Sequence, residues 1–127
     1  MESVGLKIYR NRLFVSDLII DVLTSKITVL EALSKFPTEK NDINIKCAFN
    51  ALMYREADED LRKNVEGYKE LQDDLLVTIA NILKENQKLP KNIIQRYNKY
   101  HKDDIIYKNQ KSFFKEILQS LKRNINF

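Results

Sequence analysis

The sequence predicts an all-α protein, a single-domain helical bundle of about five to six helices spanning residues 1–127. Three observations carry that expectation. Glycine and proline occur only twice each, too few to punctuate many short strands. Apolar residues recur at three- and four-residue spacing along several stretches. Hydrophobic residues make up 43% and charged residues 31%, an ordinary globular balance in a chain long enough to enclose one core.

Leu13, Phe14, Leu18, Val22 and Leu23 predict a first helix over about 6–24. Thr28-Val29-Leu30-Glu31 fits a capping box, in which the hydroxyl accepts from an early amide and the glutamate reaches back. It opens a short helix with Val29, Leu30, Leu33 and Phe36 inward, and Pro37 ends it. Asp42 is placed to cap a third helix over about 43–63. A fourth is expected over about 67–87, with Asn64 to Gly67 as the break between them. Its main stripe is Tyr68, Leu71, Leu75, Ile79 and Ile82. Leu89-Pro90 opens a fifth segment with Ile93, Ile94, Tyr97 and Tyr100 on one side. The last helix, about 109–125, carries Phe114, Ile117, Leu118, Leu121 and Ile125 as an amphipathic stripe.

The net charge of +4 is unevenly spread. Residues 54–75 hold 4 basic and 8 acidic side chains, whereas residues 84–127 hold 11 and 4. An acidic middle and a basic tail attract each other within one molecule, between subunits, or toward outside partners. Cys47 is the only cysteine, so neither an internal disulfide nor a two-cysteine metal knuckle is available. With no signal-like apolar stretch and no apolar run near the ~20 residues of a bilayer span, the expected location is cytoplasmic, with no membrane partner.

Acids dominate MYREADEDLRKNVEGYKELQDDLL, residues 53–76. On the third helix Ile45, Phe49, Leu52 and Met53 set an inward direction. At ~100° per residue that stripe continues to Glu56 and Asp60, with Glu59 at its edge and Asp58 opposite. A carboxylate on a buried stripe needs an ion pair or a metal. On the fourth helix Glu70 and Asp73 lie opposite the main stripe. Glu56-x-x-Glu59, then Glu70-x-x-Asp73 before an apolar run, resembles the magnesium motif of the MazG-like all-α nucleoside triphosphate pyrophosphatases. The resemblance covers about 20 residues. It implies Mg²⁺ held by Glu56, Glu59, Glu70 and Asp73 against substrate phosphates, with a metal-activated water as the attacking group. Hard oxygen ligands of this kind suit Mg²⁺. The plain alternative is that the acids pair with Arg55, Arg62, Lys63 and Lys69 on wet helix faces.

His101 stands beside Lys102-Asp103-Asp104 as the only histidine, and its plain role is an exposed or capping side chain. Cys47 falls near an apolar helix edge and reads as a buried, inert thiol. Lys108, Lys111, Lys115 and Lys122 form a strip of about 60° beside the last apolar stripe, a ridge able to follow phosphates, with Tyr97, Tyr100 and Tyr107 as stacking candidates. Two glycines exclude a glycine-rich phosphate loop. The leading expectation is a protein–protein contact module, self-association included, with no cofactor. A Mg²⁺-dependent nucleotide pyrophosphohydrolase and a basic nucleic-acid-binding module are the alternatives.

Overall fold

A computed structural model describes residues 3–37 and 42–98, the side chain of Asn98 excepted. These residues form six helices and no strand. They are α1 (Val4–Leu23), α2 (Val29–Ser34), α3 (Ile43–Ala57), α4 (Glu59–Asn64), α5 (Tyr68–Lys84) and α6 (Lys91–Asn98). The all-α expectation holds. His101, Tyr100, Tyr107, the stripe over 109–125, and Lys108, Lys111, Lys115 and Lys122 lie outside the described residues.

Local chemistry sets the helix ends. Ser3 caps α1 by accepting from the Leu6 amide at 3.1 Å. The capping box of α2 is present, with Glu31 donating its amide to Thr28 Oγ1 at 3.1 Å. Asp42 caps α3 by accepting from the Asn44 amide at 3.0 Å. Asn86, at φ 56°, closes α5 as Gln87 donates back to the Ile82 carbonyl at 3.0 Å. Gly67 opens α5 in the left-handed region, at φ 81°, where a side chain would be strained.

α1 lies along α5, and α3 runs through the middle, touching α1, α2, α5 and α6. Val15, Ile19, Ala48, Leu52, Leu76, Ile79, Ala80 and Leu83 make the driest part of the core. Close approach at the α1–α5 seam is recorded by Ser16, whose hydroxyl donates to the Ala80 carbonyl at 2.8 Å. Phe36 meets Phe49 edge-on at 5.3 Å, which fixes α2 against α3, and Tyr54 meets Tyr97 at 5.2 Å between α3 and α6.

Four expectations need correction. The helix expected over about 43–63 is two helices, bent at Asp58, where φ −95° and ψ 14° leave the α basin. The break at residues 64–67 is present as well. The inward stripe of α3 holds at Ile45, Leu52 and Met53, which are buried, and at Phe49, which is half-buried, but it does not continue to Glu56 and Asp60. Asn44, Cys47, Ala48, Ala51, Tyr54 and Asp58 are buried and Arg55 half-buried, and all seven fall in one arc of about 120°. Glu56 and Asp60 are exposed, and Asp58 is fully buried. On α5 the buried row is Tyr68, Gln72, Leu76, Ile79, Ala80 and Leu83. Leu71 stands 49% exposed and Leu75 and Ile82 are half-buried, because Gln72 takes the inner position to reach Asp58. Leu30, expected inside, is exposed.

Candidate functional site

Asp58 is the most unusual group among the described residues, a carboxylate with 0% of its surface exposed. The bend between α3 and α4 puts it there. Its backbone continues the chain of helical bonds, donating to the Tyr54 carbonyl at 2.9 Å and accepting from the Arg62 amide at 2.9 Å. As the residue before α4 it could cap that helix with its carboxylate, yet no such bond forms. The side chain turns inward instead. Tyr68 donates its hydroxyl to Oδ2, and Gln72 donates Nε2 to the same oxygen at 2.8 Å. Oδ1 finds no hydrogen-bond partner among the described residues.

Burial pushes Asp58 up to about 6. The bonds from Tyr68 and Gln72 and the positive charges of Arg62 and Arg96 oppose that rise without cancelling it. The same burial, joined by the neighbouring carboxylate, raises Tyr68, so its hydroxyl remains a donor at neutral pH. Arg62 donates to the Arg55 carbonyl and to Gln72 Oε1 at 3.3 Å, linking α4 to the end of α3 and to α5. The cluster therefore clamps the α3–α4–α5 turn. Beside it a cleft of about 10 Å³, the room of roughly one water molecule, is lined by Tyr54, Tyr68, Gln72, Arg96 and Tyr97.

The acids singled out in the sequence are spread apart. Glu56, Glu59, Asp60 and Glu70 are exposed, and Glu59 pairs with Lys63 at 3.3 Å one turn along α4. Asp73 is held by Arg55 and by Lys69, the latter at 2.7 Å. Burial alone would raise it, but those two hydrogen bonds and the charges behind them bring it below the ordinary carboxylate range. Among the described residues no group of three or more His, Cys, Asp or Glu is placed to hold a metal ion. Cys47 is buried, its Sγ 3.8 Å from the Ile93 carbonyl oxygen, and burial pushes the thiol up to about 12. It is therefore a packed thiol rather than a nucleophile.

Two surface features stand apart from the Asp58 cluster. Between α1 and the start of α3 lies a groove of about 450 Å³, walled by Val4, Ile8, Ile43 and Ile45. At its edge Arg12 bonds Asp42 at 2.8 Å and Asn86 Oδ1 at 3.0 Å, an arrangement that ties α1 to α3 and to the end of α5. Burial raises Asp42, but its bonds to Arg12 and Asn44 outweigh that and hold it below the usual range. The second feature is the outer side of α1. Leu6 and Ile20 are 54% and 37% exposed there, Tyr9 is exposed, and Leu13 is half-buried.

Sequence reasoning missed Asp58, Tyr68 and Gln72 as a unit. The row Asn44, Cys47/Ala48, Ala51, Tyr54/Arg55, Asp58 was its available signal. No helix among the described residues is long and apolar enough to cross a membrane. Compared with protein-family models, with curated proteins and with solved structures, the chain shows no significant match to any of them.

Proposed function

We propose that this protein is a protein–protein contact module that self-associates through the outer face of α1. The observation that carries this reading is that α1 is apolar on two sides. Val15, Leu18, Ile19 and Val22 face its own core. On the other side Leu6, Tyr9, Leu13 and Ile20 fall at steps of three, four and seven, the spacing of a coiled-coil seam. The position between, Ser16, is turned against α5 by its bond to Ala80. One helix needs only one buried stripe to join a bundle, so a second stripe suits a partner helix.

A second copy of the same chain supplies such a helix. Two-fold pairing of antiparallel α1 helices about Leu13 sets Leu6 of one copy against Ile20 of the other. It also brings Arg10 of one copy near Asp17 of the other, since these charges lie on the same side of the row, three and four residues from its centre.

The test is the mass in solution by light scattering over a range of concentrations. The wild-type chain is expected to approach twice 15.0 kDa and to return to 15.0 kDa on dilution. A Leu6→Glu/Ile20→Glu variant, altered only at exposed positions, is expected to remain at 15.0 kDa with unchanged helicity. A wild-type mass of 15.0 kDa at every concentration overturns the reading.

A further inference from the structure

The stretch DEDLRKNVEG, residues 58–67, brings little of its own to the core. Six of its ten residues are charged, and Leu61 and Val65 are its only large apolar ones. In the fold it forms α4 with a break at each end. Asp58 leaves the α basin at φ −95° and ψ 14°, and Gly67 takes φ 81° before α5 begins. Among the described helices α4 touches only α3 and α5, and Leu61 is its one buried residue. Elements with so few buried contacts are the ones that open locally while the rest of a fold stays closed.

The side-chain bonds between this segment and α5 come from three groups. Tyr68 and Gln72 both donate to Asp58 Oδ2, and Arg62 donates to Gln72 Oε1. Asp58 is thus the main anchor of the segment. It is also the place where a charge is most costly, with no exposed surface and with Oδ1 unpartnered among the described residues. Moving the segment outward returns that carboxylate to water and gives up the burial of Leu61 and part of Val65, leaving the α1–α3–α5 core packed. We propose that α4 is a pH-governed flap: residues 58–67 open as a unit, rarely while Asp58 holds its proton and far more often once it is ionised.

The groups that face Asp58 leave it as the one that titrates near neutrality. Tyr54 and Arg55 lie at the end of α3, Arg62 on α4, Tyr68 and Gln72 on α5, and Arg96 and Tyr97 on α6. Arginines and tyrosines keep their protons below pH 8. Burial strengthens this for Tyr68 and Tyr97, raising the latter to about 12. Asp73, which acts on Arg62, is held below the ordinary carboxylate range by Lys69 and Arg55, and Glu59 is exposed and paired with Lys63. In the closed flap Asp58 sits at about 6, against 3.8 once the carboxyl reaches water. Opening therefore releases a proton between these values. It grows as pH rises through that window and levels off above it, so the open fraction at pH 8 is about 50 times that at pH 4.

The test is amide exchange of the full chain, read by mass spectrometry from pH 4 to pH 8, with each rate divided by that of an unstructured peptide at the same pH. Residues 59–66 are expected to lose about 50-fold in protection across this range, most of it below pH 6.5, and Asp58→Asn is expected to show no such loss. Local opening is read separately in the wild-type chain. Urea at about 1 M should leave exchange in 59–66 nearly unchanged while speeding that of 15–22, which requires global unfolding. Protection in 59–66 that is flat with pH, a pH slope that Asp58→Asn retains, or exchange in 59–66 that follows 15–22 in urea each overturns the proposal. α4 shares no contact with α1, so these outcomes are independent of self-association through α1.

Discussion

Tyr68 donates its phenolic hydroxyl to Asp58, joining the first residue of α5 to a fully buried carboxylate at the α3–α4 bend. With Gln72 donating to the same oxygen, the pair decides which side of α5 faces inward. An ionised carboxylate in this position costs stability unless its bonds are complete, and Oδ1 has no partner among the described residues.

Acidification should therefore strengthen this part of the fold. The folded-state pKa of Asp58, about 6, lies above its ordinary value of 3.8, so the folded protein binds more protons than the unfolded chain between these values. Its contribution to stability grows as pH falls from above 6 and is complete below the unfolded value. The shift corresponds to about 3 kcal/mol, an order-of-magnitude figure. Asp42 and Asp73 act in the opposite sense, since their lowered values give stability above the unfolded pKa that is lost as pH falls through the folded one. Asp58→Asn isolates the first effect. Urea unfolding from pH 4 to 8 should show the variant more stable than wild type by about 1–3 kcal/mol at pH 7, with the advantage gone at pH 4. Parallel curves for the two proteins would refute the assignment.

Tyr68→Phe removes a donor to that carboxylate while keeping the ring. The expected loss is about 1–3 kcal/mol at pH 8, and less at pH 4.5 where Asp58 is protonated. Because the tyrosine bond lowers the carboxyl's pKa, the variant should also move the Asp58 titration upward, readable by carbon NMR of the side chain. An equal loss at both pH values would mean that the ring's fit, not the hydroxyl, carries the effect.

Cys47 should be silent toward thiol reagents in the folded state. Its thiol, held near 12 by burial against Ile93, gives almost no thiolate at pH 7.5. Modification is expected to run slower than in urea by at least about 1,000-fold, with the native rate following unfolding. Rapid labelling of the folded chain would show that the α3–α6 seam opens readily.

What the sequence made legible was local. The Thr28–Glu31 capping box, the Asp42 cap and the start of α5 at Gly67 depend on neighbours a few residues away, and the structure has each of them. What failed were directions. Asn44 and Asp58 are buried through their hydrogen bonds, and an apolar count steps over such polar groups. Gln72 displaces Leu71 from the core for the same reason, a partner 14 residues distant that no local pattern reveals. Asp60 looked buried because α3 was extended straight through the bend, whereas Glu56 lies within α3 and is exposed there.

Self-association through α1 is tested most directly by a single cysteine at the centre of the outer row. In either orientation of two α1 helices paired along this row, Leu13 meets Leu13 of the second copy, within the 4.4–6.8 Å Cα separation a disulfide requires. Leu13→Cys is compared with Lys35→Cys, an exposed position just beyond α2 and away from the row. Under mild oxidation the account predicts rapid, near-complete conversion of Leu13→Cys to a covalent dimer, and slow conversion of Lys35→Cys. Equal rates for the two, or no dimer from Leu13→Cys, would contradict it.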